Sequence, residues 1–313
     1  MVTLRAAVVG SLGGRRWGYT QDLGDGRLLL QSHDGSHLCV TDSRLKPIWD
    51  CEIPPSRGCH SVASDLSRIA VSLPEEVRLL NSAGQIVGSF SHAPWDKWST
   101  GACAFDRGGS YLWATVPTSE DTDLVVLELD GLRELDRGSL QSQPAGLQPL
   151  HHPDGRNIGW SIGEGQDRAL IRWSSMLGNR MQLRLPLEED RVLTAIHPAG
   201  SEYITTPHAT GPLQRHRFVD DAVASTIDAP DQMSWDFVAG YLDPDRILAS
   251  THTDDEEGLM VVNRDPMKIS ANVIPEGSVN QWSSLMWVGH GGWVTVGDEA
   301  AELWGLIDDS SDH

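Results

Sequence analysis

The chain has 313 residues, of which 39% are hydrophobic and 22% charged, enough apolar material for a core and too much for wholesale disorder. Its 24 basic residues stand against 44 acidic ones, a formal net charge of −20. Such a surface repels phosphate backbones and anionic bilayers, so neither nucleic acid nor membrane is expected as a partner, while a cationic small molecule or a basic protein segment fits.

The first predicted element is a strand over Thr3–Val9. It alternates, and its apolar run is too short for a signal sequence or a membrane span. It has no strand beside it in sequence. Seven units of about 45 residues follow. Each is marked by a tight turn ahead of a short apolar strand: Asp25-Gly26-Arg27, Leu66-Ser67-Arg68, Gly108-Gly109-Ser110, Asp154-Gly155-Arg156, Ala199-Gly200-Ser201, Pro244-Asp245-Arg246 and Gly291-Gly292-Trp293. A second landmark, a polar residue closing an apolar strand, recurs in phase at Asp42, Asn81, Asp130, Ser174, Asp220, Asn263 and Asp308.

Within a unit the pieces read as four short strands. In the second unit they fall near Cys59–Ser64, Arg68–Leu73, Val77–Asn81 and Ile86–Phe90. The seventh unit stops after its third strand, Ala301–Ile307, and the unpartnered Thr3–Val9 supplies the missing fourth. The reading is an all-β, seven-bladed β-propeller of four-stranded antiparallel blades, one domain over 1–309, closed by the N-terminal strand joining the last blade. Residues 310–313 form an acidic tail.

Across nearly its whole length the chain resembles the WD40-like β-propeller superfamily in period, strand pattern and Asp-Gly turns. The diagnostic dipeptides are weak: Trp49-Asp50 falls in a fourth strand, Trp235-Asp236 precedes a first strand, and Gly289-His290 lies at a turn. The resemblance implies a top face where inner strands enter beside the central channel.

Position alone then sorts the candidates. Twelve tryptophans against four tyrosines and four phenylalanines is a skewed choice. Four of them, Trp17, Trp98, Trp235 and Trp282, precede the turn anchors at matching offsets, near the inner-strand entries. Tyr19, Gln148 and His252 fall close to the same rim, with the acidic runs Glu120–Asp123 and Asp254–Glu257. Indole faces beside carboxylates suit a cationic group or a basic protein segment, so the first expectation is a non-catalytic binding propeller. The alternative is a small-molecule enzyme, a lyase, hydrolase or isomerase, possibly metal-dependent. It would work in the central funnel with His60 as base or ligand, Asp236 as its partner and Arg191 as anion clamp. A lectin-like use of the tryptophans is a third reading.

Other motifs carry less. Gly159-Trp160-Ser161-Ile162-Gly163 matches a nucleophile elbow in letters, but no helix follows Ser161. His151-His152-Pro153 and His197-Pro198 sit at equivalent places before their turns, which argues for a shared structural contact. Cys39, Cys51, Cys59 and Cys103 have no zinc spacing, so reduced thiols in a cytoplasmic protein without metal or other cofactor are expected. Nothing in the sequence sets the oligomeric state.

Overall fold

The computed structural model describes residues 2–186, 190–254, 256–276, 286–287 and 291–307. Every helical or strand element in them is a strand. Blade 1 runs Trp17–Gly24, Arg27–Ser32, His37–Thr41 and Pro47–Glu52 from the axis outward. Blade 2 runs Ser61–Val62, Arg68–Ser72, Glu76–Asn81 and Ile86–Ser91. Blades 3 to 6 repeat the order over 103–139, 146–184, 191–227 and 234–275. Blade 7 holds Met286–Trp287, Gly292–Val296 and Ala300–Ile307, with the N-terminal strand outside them. The expected tail and Trp282 lie outside the described residues.

The burial pattern explains why these segments are strands. Second and third strands are sandwiched between neighbouring blades, so Leu28, Leu29 and Leu30, or Ile69, Ala70 and Val71, are buried in unbroken runs. Outer strands face water on one side, and Pro47–Glu52 alternates between exposed and half-buried residues. Tryptophans fill the wide gaps between sheets: Trp113, Trp160, Trp173, Trp235, Trp293 and Trp304 are among the largest fully buried side chains.

Closure follows the expected route and goes one step further. The N-terminal strand extends over Val2–Gly13. Arg5–Gly13 pairs antiparallel with Ala300–Ile307, with a bulge between Val8 and Gly10. Its start, Val2–Ala6, also pairs parallel with Ala271–Pro275, the outer strand of blade 6. Blades 6 and 7 thus form one continuous eight-stranded sheet. Ala6 lies at the junction, fully buried with Leu242, Trp293 and Trp304.

On the face opposite the top, hydrogen bonds link the first turns of neighbouring blades at four junctions among the described residues. Arg27 donates to Ser64 O at 2.7 Å, and the Ser64 hydroxyl donates to Arg107 O at 3.3 Å. His152 Nε2 donates to Gly200 O at 2.7 Å, and His197 Nε2 to Pro244 O at 3.1 Å. The two histidines make equivalent contacts, as their matching positions imply. Gly200 has a φ of +73°, and a Cβ there would press to 2.6 Å from the His152 ring, so the turn requires glycine.

The inner strands also meet across the axis. Gln21 of blade 1 donates to His151 Nδ1 of blade 4 at 3.1 Å, while His151 Nε2 donates to Phe105 O of blade 3 at 2.7 Å. Cys59 and Ala102 form a parallel bridge between blades 2 and 3. His60, beside that bridge, is 0% exposed, and burial lowers its pKa to about 4.

Two outcomes follow. Ala6→Asp places an unpaired charge in the closing seam and should cost on the order of 3 to 5 kcal/mol in urea unfolding. Val2→Asp, on an exposed residue of the same strand, should change stability little; equal effects of the two would show that the seam does not hold the ring. Because the folded pKa of His60 is depressed, its contribution is complete above the ordinary value of 6.5 and is lost as pH falls from there toward 4. Stability measured across that window should drop by up to about 1.4 kcal/mol per pH unit. His60→Gln should flatten the slope, and an unchanged slope would assign the loss to other groups.

Candidate functional site

Two of the expected rim tryptophans turn inward. Trp17 opens the inner strand of blade 1 but packs on Leu28, Leu30, Val294 and Leu303, and its Nε1 donates to Leu12 O at 3.2 Å. Trp235 opens the inner strand of blade 6, packs on Ile204, Leu213 and Tyr241, and donates to Ile227 O at 2.9 Å. In both, the indole ties an inner strand to the outer strand of the preceding blade. Their recurrence at one offset is therefore a seam device, which corrects the reading of a tryptophan rim. Trp98 alone of the three described is on the surface, 75% exposed.

The proposed catalytic group is not assembled. His60 does not face the channel mouth: its Nδ1 accepts the Ser72 N–H at 3.3 Å, inside blade 2. Arg191 is buried in blade 5, where its guanidinium donates to Thr205 Oγ1, Thr205 O and Pro212 O at 2.5, 2.8 and 2.7 Å. A guanidinium spent on its own blade cannot clamp a substrate anion. Asp236 of blade 6 accepts from Phe237 N at 2.7 Å and from Ser250 Oγ at 3.4 Å. The three side chains line none of the cavities described below. Among the described residues no cluster of three or more His, Cys, Asp or Glu could hold a metal ion. Nor, among them, is any helix long and apolar enough to cross a membrane.

The top face does hold a connected hollow. A funnel of about 430 Å³ is lined by residues that include Tyr19, His33, Arg57, Cys59, Gln148 and Ser161. Tyr19 and Gln148 thus belong together, whereas His252 is exposed at the end of a blade 6 strand and does not line the funnel. Burial, reinforced by nearby Cys59, holds the Tyr19 phenol well above its ordinary value. Burial pushes the Cys59 thiol up to about 12, so it stays protonated and donates to Leu147 O at 3.0 Å. Neither group is primed as a nucleophile near neutral pH. Below the funnel, a smaller hollow of about 140 Å³ lies between the inner strands of blades 1, 4, 5 and 6, and Gln148 borders both.

Beside the funnel, and sharing Arg57 and Thr100 with it, a groove of about 720 Å³ lies between blades 2 and 3. Its outer wall is the connection over residues 92–102, longer than those over 140–145 and 228–233. That connection rests on the blade 2 hairpin: His92 N donates to Glu75 O and Trp95 N to Pro74 O, both at 2.9 Å. Asp96 Oδ1 accepts the N–H groups of Trp98 and Ser99 at 2.7 Å each, which lowers its pKa and turns Trp98 outward at the groove's lip. The Lys97 ammonium lies 4.7 Å from the centre of the Trp98 ring. Sequence position identified Trp98, but Lys97, Ser72, Gly58 and Gly101, which also line the groove, went unmarked. The available signal was the length of the 92–102 connection.

A separate acidic hollow of about 530 Å³ adjoins the loop 140–145 and holds Glu120, Asp121, Glu164 and Asp167. Its carboxylates are partly spent at home, with Glu164 accepting from Ser142 Oγ and Arg168.

No protein-family model matches the sequence, and no curated protein matches it. Solved structures do match in shape. The β-propeller domain of Cps50 (Swd1) from Myceliophteria thermophila superposes with a TM-score of 0.67 at 10% identity, covering 96% of this chain and 99% of that one. Hydrazine synthase from Kuenenia stuttgartiensis superposes with a TM-score of 0.61 at 11% identity, covering 99% and 96%. At such identities the likeness is one of fold. The chain has the WD40-like seven-bladed β-propeller fold, closed by its N-terminal strand.

Proposed function

We propose that this chain is a non-catalytic binding propeller that recognises a protein segment on its top face, with the groove between blades 2 and 3 as the docking channel. The observation that carries the reading is Trp98, 75% exposed at the lip of a groove that continues into the funnel. An indole held outward by a built turn leaves apolar area in water, which a partner's side chain would cover. The acidic hollow lies along the same route, because the loop 140–145 lines it through Gln141, Ser142 and Gln143 and lines the groove through Ala145. With the net charge of −20, that hollow favours a segment carrying basic residues beyond its anchor. A cationic small molecule on Trp98 itself is less favoured, because the Lys97 ammonium already lies over the ring. The four cysteines are unpaired, which supports a reducing, cytoplasmic setting.

Random peptides displayed on phage and panned against the protein test this reading. Trp98→Ala should weaken the selected peptides by about tenfold or more, with the thermal unfolding midpoint unchanged. Phe237→Ala, at an exposed aromatic on blade 6, should leave them bound. Peptides that bind Trp98→Ala and wild type alike would remove the groove from the function.

A further inference from the structure

The funnel on the top face carries a charge opposite in sign to the chain around it. No carboxylate lines it, and its one guanidinium, Arg57, is exposed. Among the described residues Arg57 has no ion-pair or hydrogen-bond partner for its side chain. Elsewhere Arg78, Arg137 and Arg168 each lie against a glutamate. An unpaired guanidinium inside a cleft draws an anion, because the walls focus its field. The net charge of −20 around it sets a limit: a single negative charge gains at Arg57, while a dianion meets more repulsion than one guanidinium offsets.

The blade 4 wall of the funnel supplies polar groups that the fold leaves free. Gln148 and Ser161 stand opposite each other in the ladder between the first two strands of blade 4, so their side chains share one face. Gln148 is exposed and Ser161 is 8% exposed, and among the described residues neither side chain has a hydrogen-bond partner. Two positions nearer the mouth, Gly146 pairs with Gly163. Residues two apart on a strand share a face, so this glycine pair leaves the space above Gln148 and Ser161 bare. An added Cβ at Gly146 meets nothing within 4 Å. The hollow these groups open onto, about 430 Å³, has the size of a small-molecule site.

We propose that the funnel binds a small hydroxylated monocarboxylate, with Arg57 holding the carboxylate and Gln148 and Ser161 holding hydroxyl groups. A guanidinium fork donates two parallel bonds to one carboxylate. A primary amide and a hydroxyl each donate and accept, which matches the hydroxyls of a polar chain better than an apolar one. This site goes beyond the docking reading and does not depend on it. Trp98 lies outside the funnel, and the two hollows meet at Arg57 and Thr100.

The side-chain amide resonances of Gln148, assigned with Gln148→Met, read the site in the full chain. The probes are lactate, glycerate, threonate and gluconate, a series of increasing length. At least one should move those resonances in a saturable way. The matched polyol, which lacks the carboxylate, and the matched unsubstituted acid, which lacks the hydroxyls, should each bind about tenfold more weakly. Arg57→Gln, at an exposed position, should weaken the acid by about tenfold as well. Gly146→Leu, which puts a side chain into empty space, should abolish binding with the thermal unfolding midpoint unchanged. Trp98→Ala should leave it intact. No movement with any of the acids, equal binding of the polyol, tighter binding of inorganic phosphate, or an unaltered response in Gly146→Leu would each overturn the proposal. None of these outcomes touches peptides selected through Trp98, so the funnel site and the docking groove fail separately.

Discussion

The backbone pairing of Val2–Gly13 is the constraint on which the molecule depends. A ring of sheets assembled from one chain leaves an incomplete blade, and unpaired N–H and C=O groups along its edge are both costly and adhesive. One strand resolves this twice, pairing antiparallel with blade 7 and parallel with blade 6. Fixing the angle between those two blades fixes the circumference, and the circumference fixes how closely inner strands approach at the axis. The bonds between Gln21 and His151, and the bridge between Cys59 and Ala102, exist because the ring closes at this diameter. The funnel and the groove are the spaces that remain above them.

Much of this architecture was legible in the residues. The turn anchors recur because each blade needs the same reversal at the same place, and positive φ at Asp25, Leu66, Gly109, Gly155 and Gly200 meets that need. Closure was legible because Thr3–Val9 had no neighbour and the last unit lacked a strand. The shared histidine contact was legible because His152 and His197 repeat in register. The site was less so. Spacing places Trp17, Trp98 and Trp235 at one end of their blades, but not on which side of the strand the indole falls. Two find a carbonyl on the preceding outer strand and sink into the seam; the third sits on a longer connection that carries it clear. His60 and Arg191 misled for the same reason, since a polar residue at a strand entry can satisfy its own blade.

The likeness to propellers of about one-tenth identity follows from the same physics. A blade's middle strands need side chains that are apolar and fit between two sheets, and many residue sets satisfy that demand. What is conserved in shape is period, twist and closure. Binding chemistry sits in the connections, which the fold leaves free to vary in length and charge.

The belt of bonds between turns has a consequence for how the ring opens. At the four junctions described, the donor belongs to one blade and the acceptor to the next, always in the same sense around the ring. Loosening one blade therefore strands a carbonyl on its successor, and the free energy of the opening is shared along the series. The unit of local unfolding becomes an arc of two or three blades, longer than the sequence repeat that encodes it.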